Sequence, residues 1–470
     1  MYKKLTREER CGNMSKRENS LTNGEILSAI CEGGGRVYFI GVGGVSMRSL
    51  FCLCRHFGIM ASGSDRQGEP LINSLIEAGE DIVIGVRDTL PPDTTLIVYS
   101  HAIDSTHPER LIGERENIPA VSRDRLLGAL MECYERRIGV SGSHGKSTVT
   151  AMIGKIFKDA RRCPTVLSGA ALSDSRLPFY IGSLDYLIYE ACEYKDSFLS
   201  FSPSLAVFLC IELDHTDYFE NIERLSESFL NAMKRAEKIL VNADDKRLLS
   251  LALRSGQSFV TFGKSRAAEY RFEHISSEGG VLVFKLFARG REAREVRLNM
   301  SGDFNILNAV AALSAAMEEG IEPECAIASI EKFTGIERRL EFVGEYDGRR
   351  VYYDYAHHPT EIRESVRAIR ERSGGKVTVV FRPHTYSRTA GLWDGFVSSL
   401  STADYTLLLD IDAVREENIF DVSSERLARE IGAVYCPFVS EVPEFLKSTE
   451  GDIILMGAGE LLSVKKLLTN

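Results

Sequence analysis

Long hydrophobic runs and paired cysteines are both missing from this sequence. No apolar segment approaches the roughly 18 residues of a membrane-spanning helix, and residues 1–18 are rich in Lys, Arg and Glu without the apolar segment of a secretory signal. The ten cysteines are scattered, with no C-x-x-C pair and no Cys/His set at zinc-binding spacing. We therefore expect a cytoplasmic chain with reduced thiols and no membrane span.

An excess of positive charge is also absent. The chain has 57 Lys plus Arg against 67 Asp plus Glu, a formal charge of −10, so it has no general attraction for nucleic acid, which requires clustered positive charge. The chain has 470 residues, which is longer than a domain built on one hydrophobic core usually is. Hydrophobic residues make up 44% and charged residues 26%, the balance of a globular protein with several domains.

Short apolar runs alternate with glycine turns and helical periodicity along most of the chain, which is typical of α/β domains with parallel sheets. After a leader at residues 1–34, the pattern predicts three such domains. They are a Rossmann-like domain at 35–135, a central P-loop ATPase domain at 136–336 and a Rossmann-like C-terminal domain at 337–470.

The strongest single motif stands between a predicted strand and a predicted helix. It consists of Gly142, Ser143, His144, Gly145, Lys146, Ser147 and Thr148. Backbone N–H groups of such a loop bind phosphate together with the helix N-terminus behind them. Lys146 would contact the β- and γ-phosphates of ATP, and Ser147 or Thr148 would hold Mg²⁺. The alternative is a glycine turn that carries a surface lysine.

Acidic clusters follow the next two predicted strands, where a doubly wound sheet binds its ligands. They are Glu190 and Glu193 after the first strand, and Asp214, His215 and Asp217 after the second. Carboxylates in this place are candidate Mg²⁺ ligands. His215 is a candidate second-metal ligand, with a solvated or core histidine as the alternative.

Two further motifs flank this centre. Gly41-x-Gly43-x-x-Ser46 after the first strand, with Asp65 at ribose distance, is compatible with NAD, with UDP or with no ligand. In the third domain, the segments 354–361 and 382–388 follow two strands and contain His357, His358 and His384. We expect a substrate site there, the alternative being turns and N-caps that happen to contain histidine.

Together these motifs resemble the Mur ligases over roughly residues 36–463. The resemblance implies that Asn305 and Asn308 hold the adenine of ATP, with Arg339 and Asp354 nearby. It assigns the UDP-sugar to Gly41, Gly43, Gly44, Asp65 and Ser100. It assigns the amino acid to Tyr355, His357, Arg382, His384 and Arg388.

The segments HHPTEI and PHxYSRT resemble the branch of the family that joins L-alanine to the carboxylate of UDP-N-acetylmuramate, the first peptide step of peptidoglycan precursor synthesis. The implied reaction consumes ATP and passes through an acyl phosphate. Lys146 and Mg²⁺ ions held by Ser147, Glu190 and His215 would assist phosphoryl transfer, and Glu193, His357 or a water between them would accept the proton of the amine. A monomer or homodimer is expected.

Several positions depart from the family pattern, namely Cys192, Cys210, Phe304, Arg382 and Thr385. Three alternatives therefore stay open. One is the recycling ligase that adds a preformed peptide to the same UDP-sugar. The others are a nucleotide-binding protein that has lost catalysis and an NAD-dependent oxidoreductase, which would leave Lys146 and the strand-end carboxylates without a role.

Overall fold

The computed structural model describes residues 21–31, 34–172, 175–414, 416–458 and 461–469. Most of the predicted leader lies outside these ranges, and so do residues 459 and 460. The described residues form two compact units. The first comprises those of 1–139, 163–169 and 177–204, and the second those of 140–162, 170–176 and 205–470.

The first unit contains five parallel strands in the order β3-β2-β1-β4-β5. They are β1 (Arg36–Ile40), β2 (Met60–Asp65), β3 (Asp81–Ile84), β4 (Thr94–Tyr99) and β5 (Ala120–Ser122). The helices of this part are α1 (Asn23–Cys31), α2 (Val45–His56), α3 (Pro70–Glu77), α4 (Pro108–Glu116) and α5 (Arg123–Leu130). The central strand β1 is buried from Val37 to Ile40, because parallel sheets are covered on both faces.

Strand β6 (Arg136–Ser141) carries the chain from the first unit to the second. Three more strands belong to the first unit and pair in the order β9-β7-β8, the first pair parallel and the second antiparallel. They are β7 (Thr165–Leu167), β8 (Phe179–Tyr180) and β9 (Tyr186–Glu190). A 3-10 segment, Tyr194–Ser200, follows β9.

In the second unit, α6 (Lys146–Asp159) follows the glycine loop, and strands β10 to β15 lie side by side in chain order. Pairing is parallel from β10 to β13 and antiparallel from β13 to β15. The strands are β10 (Leu205–Phe208), β11 (Lys238–Asn242), β12 (Ser258–Gly263), β13 (Tyr270–Glu278), β14 (Val281–Ala288) and β15 (Arg294–Leu298). The helices are α7 (Ile222–Lys234), α8 (Lys246–Ser255), α9 (Phe304–Glu318) and α10 (Pro323–Ile330).

The same unit ends with a six-stranded sheet in the order β16-β17-β21-β18-β19-β20. Its strands are β16 (Glu341–Tyr346), β17 (Arg349–Asp354), β18 (Val377–Phe381), β19 (Tyr405–Leu408), β20 (Val434–Tyr435) and β21 (Asp452–Met456). The helices are α11 (Pro359–Ser373), α12 (Tyr386–Gly391), α13 (Trp393–Leu400), α14 (Ser424–Ile431), α15 (Val442–Lys447) and α16 (Leu462–Thr469). Apolar clusters cover both faces of its central strands.

Parallel strands that alternate with helices confirm the predicted α/β class. The predicted strand over residues 205–211 ends earlier, at Phe208, and two backbone groups beyond it bond to side chains. Asn242 donates to the carbonyl of Leu209, and Asp245 accepts from the N–H of Ile211. Among the described residues, no helix combines the length and apolar character that crossing a bilayer requires.

Candidate active site

The glycine loop after β6 has the backbone geometry of a phosphate-binding turn. Gly142 and Gly145 adopt φ values of +147° and +84°, which strongly favour glycine. A Cβ at Gly145 would lie 2.6 Å from Oδ1 of Asn308, so no side chain fits there. The structure thus places the predicted phosphate loop directly against one of the two predicted adenine-binding residues.

Lys146 is the first residue of α6, and its ammonium folds back over the loop. Nζ donates to the carbonyls of Gly142, at 2.6 Å, and Ser143, at 3.4 Å. Ser147 and Thr148 lie buried in the first helical turn. A cation, a helix N-terminus and a hydroxyl therefore lie at one loop, which is the arrangement that binds a nucleoside triphosphate.

A cavity of about 260 Å³ opens beside this loop. Apolar side chains supply much of its wall, and Asn305, Asn308, Arg339 and Asp354 supply polar groups. The two asparagines are bonded to each other at 3.1 Å, and Asn305 also donates to the carbonyl of Ser301. An apolar cavity with a few fixed polar groups suits a planar base.

Phe304, one of the departures from the family pattern, lines this cavity. A phenyl ring there presents an apolar face where a histidine would present a polar one, and adenine can stack on either. The structure therefore gives no reason to exclude a nucleotide on account of this substitution. Asp354 accepts a hydrogen bond from Ser365 at the cavity wall, and burial raises the pKa of its carboxyl.

His144 of the loop lies between two carboxylates. Its Nδ1 is 3.1 Å from Glu361, its Nε2 is 3.3 Å from Glu212, and Thr360 donates to Glu212 at 2.6 Å. Burial opposes ionisation of Glu212, but hydrogen bonds from His144 and Thr360 outweigh it and lower its pKa to about 2. Burial likewise disfavours charge on His144, yet the two carboxylates raise its pKa well above the usual value.

Glu361 fixes the beginning of α11 as well as His144. His358 is the N-cap of this helix, and Glu361 completes a capping box with it. Oε2 of Glu361 also accepts the N–H of His357 at 3.0 Å. Burial would raise the pKa of Glu361, but His357 and His144 lower it well below its usual range. One buried carboxylate therefore orders both the phosphate loop and the predicted substrate segment.

Arg388 and Asp214 form a second buried pair in this unit. Nε of Arg388 donates to Oδ1 of Asp214 at 2.8 Å, and both side chains are at least 90% buried. Nε2 of His357 lies 3.8 Å from the other carboxylate oxygen. Burial opposes the charge of Asp214, but His357 and Arg388 hold its pKa well below the usual range. The structure thus brings two predicted amino-acid-binding residues together around one carboxylate.

His384, the third histidine of this cluster, is expected to make stability depend on pH. Burial and the neighbouring Arg388, whose Nη1 is 3.1 Å from Nδ1, lower its pKa to about 4. Between pH 6.5 and 4 the unfolded chain binds the proton more readily, so stability falls as the pH falls through this range. His384→Gln should remove about 2 kcal/mol of that decline, measured by urea unfolding at pH 7 and pH 4.5. An equal decline in the variant would contradict the assignment.

The loop that carries His215 contains a strained residue and contacts helix α12. His215 adopts φ +53°, which is unfavourable for a residue with a Cβ and often marks a functional position. Its neighbour Thr216 donates to the carbonyl of Ser387 at 3.2 Å. Arg382 follows β18, and its backbone N–H donates to the carbonyl of Met456 at 2.9 Å. Thr385 caps α12 by accepting from the N–H of Arg388.

The predicted UDP-sugar residues lie at the carboxyl ends of β1, β2 and β4 in the first unit. Gly41 turns the chain at φ +81°, and the N–H of Gly43 donates to Asp65 at 2.7 Å. A Cβ at Gly43 would lie 2.5 Å from Ile72. Asp65 therefore shapes the turn itself. Gly44 precedes α2, and Ser100 follows β4.

Sequence reasoning did not identify two buried arginines of the first unit. Arg48, in the first turn of α2, donates to the carbonyl of Gly43 at 3.3 Å. Arg110, on α4, stacks 4.0 Å over the ring of Tyr99. A buried cation beside a glycine turn, as Arg48 is, favours an anionic ligand. An arginine one helical turn after the glycines was the available signal for Arg48.

Glu190 and Glu193 belong to the first unit. Glu190 ends β9 and accepts hydrogen bonds from the N–H of Gly169 and the hydroxyl of Ser168. Glu193 is buried immediately before the segment in which Lys195 and Asp196 both adopt positive φ. The joint action predicted for these carboxylates with residues of the second unit stays a prediction.

Three family models match the chain in succession. They are the Mur ligase family catalytic domain at residues 36–135, the Mur ligase middle domain at 140–316 and the Mur ligase glutamate ligase domain at 338–459. The chain belongs to the Mur ligase family and is a ligase. This confirms the family and the α/β domain types that the motifs predicted.

Comparisons with individual proteins show which Mur ligases this chain is similar to. UDP-N-acetylmuramate–L-alanine ligase of Caldicellulosiruptor saccharolyticus is 37% identical over 91% of this chain and 96% of its own length. The crystal structure of UDP-N-acetylmuramate–alanine ligase from Thermotoga maritima superposes with a TM-score of 0.77 at 22% identity, covering 92% of this chain and 98% of that one. A murein peptide ligase from Psychrobacter arcticus has a TM-score of 0.71 at 21% identity, with coverages of 92% and 98%. Both structures share this fold.

Proposed function

We propose that this chain uses ATP to join L-alanine to the carboxylate of UDP-N-acetylmuramate, releasing ADP and phosphate in the first peptide step of peptidoglycan precursor synthesis. The observation that carries the proposal is the phosphate loop with Lys146, packed against Asn308 in the same unit as the buried Arg388–Asp214 pair. The names of relatives at 33–37% identity over nine-tenths of the chain support it. The reaction belongs in the cytoplasm, where ATP is available.

ATP would bind with its phosphates on the loop and its base in the neighbouring cavity. Backbone N–H groups at the start of α6 and the ammonium of Lys146 offset the phosphate charge. Asn305 and Asn308 offer the paired donors and acceptors that an adenine edge can use. Arg339, which lies 5.4 Å above the ring of Tyr355, would contact the rest of the nucleotide.

The sequence predicts three ligands for Mg²⁺, two of which supply the oxygen donors that this ion prefers. Ser147 supplies a hydroxyl at the first turn of α6, Glu190 a carboxylate at the end of β9, and His215 an imidazole on a strained loop. When bound, Mg²⁺ supplies positive charge to the phosphates during transfer. We propose these three residues as its ligands.

The reaction requires two displacements. A carboxylate oxygen of UDP-N-acetylmuramate attacks the γ-phosphorus, the bond to the bridging oxygen breaks, and ADP leaves. The amine of alanine then attacks the acyl carbon, and inorganic phosphate leaves with the electron pair of the C–O bond. Lys146 stabilises the transferring phosphoryl group, and the amine must lose a proton before or during its attack.

His357 has the tautomer that a base for this proton needs. Its Nδ1 lies 2.9 Å from the carbonyl oxygen of Tyr355, which can only accept, so Nδ1 carries the hydrogen. Nε2 of the neutral ring then keeps its lone pair. Nε2 lies 3.8 Å from Oδ2 of Asp214, so this carboxylate helps to orient the ring. Glu193 is the other proposed base.

The carboxylate of alanine is proposed to bind Arg388, with His384 and Arg382 beside it. Nη1 of Arg388 is held by His384, and Nε by Asp214, so the guanidinium is fixed in one orientation. A fixed guanidinium recognises a carboxylate with little entropy cost. In the first unit, Gly41, Gly43, Gly44, Asp65 and Ser100 are proposed to bind the UDP-sugar.

The substrates can be tested by phosphate release. With ATP, Mg²⁺ and UDP-N-acetylmuramate, we expect L-alanine to give at least about 10-fold higher kcat/KM than glycine, because one methyl group in a small apolar pocket contributes about 1.4 kcal/mol or more. L-serine should also react less well. Phosphate release must vanish when the UDP-sugar is omitted.

A tripeptide acceptor separates this proposal from the recycling reaction. Higher kcat/KM with an L-alanyl tripeptide than with L-alanine would identify the peptide-adding ligase instead. No phosphate release with any acceptor, together with intact ATP binding, would favour a protein that has lost catalysis.

A further inference from the structure

Three potential metal ligands from distant parts of the chain meet beside the phosphate loop. They are His144 in the loop, Glu212 after β10 and His358 at the beginning of α11. One ligand atom from each lies within 4.8 Å of the other two. Two imidazoles and one carboxylate form a donor set that favours Zn²⁺ and its neighbours over Mg²⁺, which prefers oxygen.

The distances within this cluster suit a tetrahedral ion. Zn²⁺ binds nitrogen and oxygen at about 2.0–2.2 Å, which places neighbouring tetrahedral ligands about 3.3–3.6 Å apart. Glu212 Oε2 lies 3.3 Å from Nε2 of His144 and 3.6 Å from Nδ1 of His358. The ligating nitrogens of the two imidazoles lie within 4.8 Å of each other, and their ring centroids are 4.7 Å apart.

In each imidazole, the nitrogen that faces away from the cluster is hydrogen-bonded, which fixes the orientation of the ring. The far nitrogen of His144, Nδ1, is bonded to Glu361 at 3.1 Å, and the far nitrogen of His358, Nε2, to the carbonyl of Leu213 at 3.2 Å. Carboxylates and backbone carbonyls hold the non-coordinating nitrogen of zinc-bound histidines in the same way. Since a carbonyl only accepts, Nε2 of His358 carries a hydrogen and Nδ1 keeps a lone pair, which now accepts weakly from Thr360 at 3.3 Å.

The local charge also favours a dication. Glu212 and Glu361 contribute two negative charges, and Arg339, 3.6 Å from Glu361, contributes one positive charge at the edge. In the structure His144 bridges the two carboxylates. A metal ion that replaced the proton on its Nε2 would keep the carboxylate contact of Nδ1.

We propose that His144, Glu212 and His358 form a binding site for a Zn²⁺-like transition-metal ion, distinct from the proposed Mg²⁺ ligands Ser147, Glu190 and His215. An ion bound there would tie the phosphate loop to the N-terminus of α11. Because His144 and Glu212 line the cavity proposed for ATP, occupancy would compete with or remodel nucleotide binding. The proposal does not depend on which amino acid the ligase uses.

Cobalt absorption tests this site directly. The full chain, free of nucleotide and in excess Mg²⁺ to fill oxygen-rich sites, is titrated with Co²⁺. We expect the intense visible bands of a four-coordinate ion, which Zn²⁺ abolishes by displacement. Glu212→Gln and His144→Gln should each weaken Co²⁺ binding at least about 10-fold. His358→Gln should do the same if its thermal unfolding shows that α11 remains folded.

Two control variants identify other sources of the signal. His274→Gln removes a histidine that lies 3.4 Å from the carboxylate of Asp303, outside the cluster, and should leave Co²⁺ binding unchanged. Cys210→Ser removes the thiol that accepts from the N–H of His144 at 3.3 Å, and should also leave it unchanged. Absent four-coordinate bands, or bands that persist in Glu212→Gln and vanish in Cys210→Ser, would overturn the proposal.

Discussion

Lys146→Ala is expected to reduce ATP-dependent phosphate release by about 100- to 1,000-fold, the usual cost of removing one preorganised group that stabilises transition-state charge. Nζ of Lys146 lies on the loop carbonyls at 2.6 Å and 3.4 Å, so the ammonium is already at the loop before any ligand binds. Alanine is a good helix former and should preserve α6. The measurement is kcat for phosphate release with saturating ATP, UDP-N-acetylmuramate and L-alanine.

Lys155→Ala is the matched control, because it removes an ammonium from the same helix. Lys155 forms an i,i+4 pair with Asp159 at 2.9 Å, and such a pair contributes only about 0.3–0.5 kcal/mol. Its activity should stay within twofold of the unmodified chain. If Lys146→Ala kept normal activity, the phosphate-loop assignment would be wrong.

The strands that immediately precede the functional motifs are the part of this fold that the sequence predicts best. The segments before each motif are short apolar runs followed by glycine or acidic residues, and β1, β6, β9 and β17 are all found there. The antiparallel strands β13 to β15 were not predicted. Their outward residues alternate with buried ones, as in β14, and such strands carry no motif that separates them from loops.

Contacts across the fold explain what sequence reasoning missed in the site. His144 meets Glu212 and Glu361, which are 68 and 217 positions away, and neither carboxylate follows a recognisable ligand spacing. Each was visible only as one more acidic residue in a motif. Their pairing depends on how β10 and α11 approach the loop, and local periodicity contains no information about that approach.

For Arg388, the sequence predicted a role in binding but did not reveal its partner inside the protein. The sequence predicted it as a partner for the alanine carboxylate, and the structure pairs it with Asp214 inside the protein. The two roles are compatible, because a guanidinium has five N–H donors and Asp214 uses only Nε. They predict different consequences for mutation, and both can be measured.

Arg388→Ala is expected to lower kcat/KM for L-alanine about 100-fold, since charge-assisted hydrogen bonds contribute roughly 1.5–3 kcal/mol each. KM for ATP should change much less. The variant also leaves the carboxylate of Asp214 buried without its main partner, which should cost about 3 kcal/mol of unfolding free energy. Initial rates and urea unfolding measure the two effects separately.

A double-mutant cycle with Asp214→Asn tells the two roles of Arg388 apart. Asp214→Asn removes the buried charge, so the double variant should recover part of the stability lost in Arg388→Ala but none of the affinity for alanine. Arg370→Ala is the matched control, because its pair with Asp404, at 2.6 Å, is partly exposed and should contribute no more than about 1 kcal/mol. If the double variant bound alanine normally, Arg388 would be a structural partner of Asp214 and the amino acid would have to be held elsewhere, with Arg382 as the next candidate.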